Sequence, residues 1–117
     1  MHIKVGCDII NIKRFERSIK KSGQKVLNRI FSTHELSNFH SIESLAGIFA
    51  AKEAVIKALG ELLKLKAGDW HNIEITKNEK GKPEVKILKN NEKILSGDIS
   101  ISHDGEYAIA VVVFILN

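Results

Sequence analysis

From about Ser44 to Leu65 the chain keeps a helical rhythm long enough to organise everything around it. Its middle reads Phe49-Ala50-Ala51-Lys52-Glu53-Ala54-Val55-Ile56-Lys57-Ala58-Leu59-Gly60. Ala46, Ala50, Glu53, Lys57 and Gly60 follow at steps of four, three, four and three, which gathers them on one face of a helix. That face is small apart from its acid and its base, leaving room for something polar to approach. The opposite side, with Ile48, Phe49, Val55, Ile56, Leu59, Leu62 and Leu63, is apolar and can bury itself. Glu53 and Lys57 also have the spacing of a plain surface ion pair, worth only about 0.2–0.5 kcal/mol.

Shorter elements flank this helix. His2 to Asp8 alternates, with Ile3, Val5 and Cys7 on one side, and predicts a short strand. Asn11 can cap a helix over about Ile12–Lys21, which Ser22-Gly23 would end. Val26, Leu27, Ile30 and Phe31 form a further cluster of helical spacing. Ser32 with Glu35 resembles a capping box opening a short helix through about Phe39. Gly60 is a place where the long helix could bend. Beyond it the pattern turns to strands: His71–Thr76 and Glu84–Leu88 about the Lys80-Gly81-Lys82-Pro83 turn, then Asp98–His103 and Tyr107–Ile115 about Asp104-Gly105. Helices first and strands last predict an α+β fold, an antiparallel β-sheet packed against the long central helix and shorter helices.

With 117 residues, and no repeat or linker, one domain over 1–117 is expected. No apolar run approaches the roughly 20 residues of a membrane span. The N-terminus lacks the basic start, apolar stretch and small-residue cleavage site of a signal peptide. The lone Cys7 excludes an intrachain disulfide and fits a reducing compartment, so a cytoplasmic location is expected. The net charge of +4 points to an acidic partner or substrate. The five histidines lack zinc-site pairings, and no glycine-rich phosphate loop occurs.

Three acids or bases stand where an element would expose them: Asp8 at a strand end, Glu53 on the long helix, and His103 before a tight turn. Two carboxylates brought together would repel, and a magnesium ion shared with substrate phosphates would relieve that. Lys57 would then face the same phosphates. Spacing does not bring Asp8 and Glu53 together, because 45 positions separate them. His103 is equally readable as a solvated turn residue, and nothing fixes a Ser-His-Asp geometry around Ser100 and Ser102. On the first helix, Arg14, Arg17 and Lys21 fall at i, i+3 and i+7 as a basic ridge over the inner stripe Ile12, Phe15 and Ile19. Such a ridge is either a solvated face or a dock for an acidic surface. Nucleic acid is the weaker match, since the basic segments lack interleaved aromatics and only 7 of 117 residues are aromatic.

Four segments in order resemble one known family. Val5-Gly6-Cys7-Asp8-Ile9-Ile10 with Arg14-Phe15 looks like the opening motif of holo-(acyl-carrier-protein) synthases. Phe49 to Ala58 resembles their central Lys-Glu-x-x-x-Lys helix. Ile73-Glu74-Ile75 with Gly81-Lys82-Pro83 matches in order and spacing, and Ile99 to Ala108 is similar to their Ser-x-Ser-His hairpin. The resemblance implies a 4'-phosphopantetheinyl transferase fold and transfer of phosphopantetheine from coenzyme A to a serine of apo-acyl carrier protein, releasing adenosine 3',5'-bisphosphate. It implies magnesium on Asp8 and Glu53, with these and Lys57 as catalytic residues and Lys57 contacting phosphate. It further implies His103 at the nucleotide end of coenzyme A, Gly81, Lys82 and Pro83 beside the adenine, and Arg14, Arg17 and Lys21 docking the acidic carrier. A homotrimer with active sites between subunits is implied too, as is a place in fatty acid synthesis, with neither nucleic acid nor membrane as partner. The serine proton would pass to Glu53 or to a metal-bound water. Where many relatives have a basic residue before the central motif this chain has Ile48, and Lys52 or Lys82 is the expected replacement.

Overall fold

The computed structural model describes residues Met1–Asn117. Strand β1 (His2–Asn11) leads into helix α1 (Ile12–Ser22), followed by α2 (Gln24–Ile30), α3 (Thr33–Asn38) and the long α4 (Ile42–Leu63). After a 3-10 turn at Trp70–Asn72 come β2 (Ile73–Lys77), β3 (Pro83–Ile87), β4 (Ile94–Asp104) and β5 (Tyr107–Leu116). The fold is α+β, as the pattern of helices then strands predicts. Local signals act as read: the Asn11 side chain accepts from Arg14 N, and Ser32 and Glu35 form a complete capping box. Helix α4 is not interrupted at Gly60 and runs through it to Leu63. His71 lies in the 3-10 turn rather than in the strand expected to start there.

β2 and β3 form a two-stranded antiparallel sheet, and β1, β5 and β4 form a three-stranded antiparallel sheet in that order. The β1–β5 pairing joins the two ends of the chain, with Asp8 opposite Ala110. Alternation then divides the larger sheet into two faces. Gly6, Asp8, Ala108, Ala110, Val112, Ile99 and Ile101 share the face against α4. Ile3, Val5, Ile9, Tyr107, Ile109, Val111 and Val113 share the other and are exposed.

Small residues decide how closely α4 lies on the sheet. A Cβ on Gly6 would stand 1.9 Å from the Ala54 carbonyl oxygen, and one on Gly47 would stand 2.7 Å from Ile101 Cγ2. Only glycine permits either approach. The helix therefore crosses the sheet diagonally, over β4 near Gly47 and over β1 near Ala54. Ala46 and Ala50, read above as clearance for a ligand, are fully buried and fill the protein's own core. Leu62, assigned to the buried side, is exposed.

Candidate active site

The approach at Gly6 determines what happens two residues later. Asp8 projects from the same face of β1 toward α4, one helical turn along from Ala54, where Lys57 lies. Lys57 Nζ donates to Asp8 Oδ1 at 2.8 Å and to the Cys7 carbonyl at 3.1 Å. The Asp8 side chain is 15% exposed and that of Lys57 58%. The hydrogen bond and charge of Asp8 hold the Lys57 pKa above its ordinary value, and nearby Glu53 adds to the effect. Lys57 therefore pairs with a strand 49 positions away rather than with its helical neighbour. The plain i,i+4 pair between Glu53 and Lys57 does not form.

Glu53 is half-buried beside this pair, and its Oε2 accepts a long hydrogen bond of 3.5 Å from Trp70 Nε1. No cluster of three His, Cys, Asp or Glu side chains surrounds these carboxylates. The donor set is thus two carboxylates with a lysine beside them. It fits a hard cation that takes a few protein oxygens and completes its shell with phosphate and water.

A second cleft, of about 150 Å³, opens at the other end of α4. It gathers Gly81, Pro83 and His103, three of the residues assigned to the nucleotide end, with Ile48 in its wall. Lys82 is not among its lining residues and instead pairs with Asp98, whose carboxyl that contact holds below its usual range. The other expected replacement for a basic residue at position 48 also fails. Lys52 is fully buried and bonded to Glu35 Oε1 at 2.7 Å. Lys77 is the lysine that lines this cleft, its Nζ 4.6 Å from the centre of the Phe39 ring. Nothing in the sequence singled out Lys77, which falls just past the expected strand His71–Thr76.

Ser100 and Ser102 alternate with His103 and so lie on the opposite face of β4, away from the cleft. Arg14, Arg17 and Lys21 are exposed along α1, above the buried Ile12 and Phe15. Arg14 also rims a cavity of about 270 Å³ lined by Ile9, Phe15, Ile19, Val26 and Phe49. The ridge thus combines positive charge with an apolar recess.

Residues 4–112 match the family model of the 4'-phosphopantetheinyl transferase superfamily. The chain belongs to this superfamily. Within it, the chain is 45% identical to the holo-[acyl-carrier-protein] synthase of Thermodesulfovibrio yellowstonii, over 93% of this chain and 95% of that one. It is 43% identical to the synthase of Nitratiruptor, over 95% and 97% of the two chains. The crystal structure of Helicobacter pylori holo-[acyl-carrier-protein] synthase in complex with coenzyme A aligns with a TM-score of 0.77 at 34% identity, covering 95% of this chain and 99% of that one. The synthase structure from Neisseria meningitidis gives 0.81 at 31% identity, covering 96% and 97%. The expected family and fold are therefore those of the chain, a transferase of the holo-(acyl-carrier-protein) synthase group.

Proposed function

We propose that the chain acts as one domain that transfers 4'-phosphopantetheine from coenzyme A to a serine hydroxyl of apo-acyl carrier protein, releasing adenosine 3',5'-bisphosphate. The observation that carries this reading is the Asp8–Lys57 contact with Glu53 beside it, in a chain of this family. Asp8 and Glu53 would hold a magnesium ion, which supplies charge neutralisation and Lewis acidity at the pyrophosphate. Lys57 has three N–H donors, of which Asp8 and the Cys7 carbonyl take two. The third is free to bind a phosphate oxygen and to stabilise charge on the leaving bisphosphate. The serine oxygen forms the new bond to phosphorus as the bond to the bisphosphate oxygen breaks with its electron pair. Its proton would pass to Glu53 or to a water held by the metal. His103, Gly81, Pro83 and Lys77 would receive the nucleotide end.

The family resemblance implies a homotrimer with shared sites, and the distribution of these groups is compatible with one. Ile48 and Lys57 are nine residues apart on α4, about 13.5 Å along its axis and on opposite sides of it. Asp8 and Ile101 both register with Ala110 from opposite edges of the sheet. The cation pair and the nucleotide cleft of one chain thus flank the helix from two sides, with buried alanines between them. Head-to-tail contact would set the pair of one copy against the cleft of the next and close a ring. The exposed apolar face of the sheet, with Ile3, Val5, Ile9, Ile109, Val111 and Val113, offers a surface for such an assembly.

The α1 ridge, Arg14, Arg17 and Lys21, would dock the acidic carrier. No helix is long and apolar enough to cross a membrane, and we place the protein in the cytoplasm, serving fatty acid synthesis. The test is to incubate the purified chain with apo-acyl carrier protein, coenzyme A and magnesium, and to weigh the carrier. A gain of one phosphopantetheine, absent when the metal is chelated, is expected. An unchanged carrier mass beside a competent control would sink the reading.

A further inference from the structure

Trp70 is the chain's single tryptophan, and it is held at two points by consecutive residues of α4. Its indole Nε1 donates to Glu53 Oε2 at 3.5 Å, and its carbonyl oxygen accepts from Lys52 Nζ at 3.1 Å. Lys52 in turn donates to Glu35 Oε1 at 2.7 Å and to the Ile30 carbonyl at 2.8 Å, which uses all three of its protons. Glu35 accepts from Ser32 N and Ile75 N, each at 2.8 Å. His71, the next residue of the turn, contacts the Asn28 carbonyl at 2.6 Å through Nε2. The Trp70 carbonyl is therefore tied through Lys52 and Glu35 to α2, α3 and β2 by buried or half-buried groups, and the exposed His71 side chain adds a contact to α2.

The ring is fixed as well. It meets Phe49 edge to face, with centroids 5.6 Å apart and planes at 68°. A phenylalanine would supply that packing equally. What tryptophan adds is an N–H directed at one oxygen of one carboxylate. Glu53 is a flexible side chain on a half-exposed helix face, and the indole bond selects among its rotamers. At 3.5 Å the contact is long, and the neutral indole leaves the carboxylate its charge. Oε2 is engaged and Oε1 is left for a cation.

We propose that Trp70 is a positioning residue: its indole N–H orients Glu53 toward the metal, from a backbone pinned by the buried Lys52–Glu35 pair. The role rests on the metal reading of Asp8 and Glu53 given above. Partners that orient a ligand from behind typically matter about tenfold or more in metal affinity.

The experiment uses the full chain with coenzyme A present. Magnesium is titrated while the emission of the single tryptophan is followed, and Mn2+ affinity is measured for wild type, Trp70→Phe and Glu53→Gln. Emission is expected to change saturably with magnesium in wild type and to stay flat in Glu53→Gln. Trp70→Phe is expected to bind Mn2+ about tenfold more weakly at an unchanged unfolding midpoint. Wild-type emission indifferent to magnesium would overturn the proposal without any substitution that could disturb the fold. Wild-type Mn2+ affinity in Trp70→Phe, with weakened affinity in Glu53→Gln, would overturn it alone. Undiminished affinity in Glu53→Gln would overturn the metal reading beneath it as well.

Discussion

Helix α4 presents two lysines five residues apart, each pairing with a carboxylate, at 2.7 Å for Lys52–Glu35 and 2.8 Å for Lys57–Asp8. The pairs share little else. Both side chains of the first are wholly inaccessible, whereas Lys57 in the second is 58% exposed. Burial pulls the Lys52 ammonium below its ordinary pKa, against the opposing pull of Glu35. Asp8 pushes that of Lys57 above it. Every donor of Lys52 is committed, while Lys57 keeps one free and faces solvent. Like chemistry in unlike surroundings thus suits opposite uses: the closed pair fixes the backbone around the site, and the open pair keeps the exposed, partly free ammonium that the proposed function calls on.

The largest effect that would break this comparison is on stability. Lys52→Met strands the Glu35 carboxylate in the core and should cost about 3–5 kcal/mol in denaturant unfolding. A loss within about 1 kcal/mol would mean that the buried pair is not structural. Lys57→Met should show the reverse: a stability loss clearly smaller than that of Lys52→Met, because only the Asp8 side of the pair is largely buried, with transfer reduced about a hundredfold or more. Near-normal transfer would remove Lys57 from the chemistry.

A smaller effect concerns pH. The folded pKa of Lys57 lies above the ordinary lysine value of 10.5, so the pair contributes fully below that pH. Its contribution is lost only as pH rises through the raised value. NMR titration of the Lys57 side chain should find a midpoint above 10.5, and one at or below it would show that Asp8 does not stabilise the ammonium in solution. Smallest of all is Lys82→Ala, which removes the exposed Asp98 pair and should leave the unfolding midpoint where it is. A clear drop would place that pair with Lys52 rather than at the surface.

Much of the fold was legible because its signals are local. The Asn11 cap, the Ser32–Glu35 box, the length of α4 and both hairpins each follow from residues within a few positions of one another. The failures came where tertiary packing overrides local pattern. Ala46 and Ala50 look like clearance on a helical wheel, but Gly6 and Gly47 bring the sheet against α4 and the core takes that space. Lys52 looks solvated because a lysine is seldom buried whole, and its partner lies 17 residues away on another helix. Asp8 and Lys57 could be joined only through the family resemblance, since no spacing rule connects a strand to a helix across 49 positions. Lys77 and Trp70 carried no signal at all; their places depend on how the β2–β3 hairpin and the 3-10 turn fold back on α4.

The contrast between the pairs comes to its sharpest point at Asp8, which closes the open pair and is assigned to the metal. Apo-acyl carrier protein incubated with coenzyme A, magnesium and either the wild-type chain or Asp8→Asn, matched for unfolding midpoint, can be compared by intact mass. One added phosphopantetheine is expected from wild type and none from Asp8→Asn over the same time. Conversion of the carrier by Asp8→Asn at the wild-type rate would contradict it.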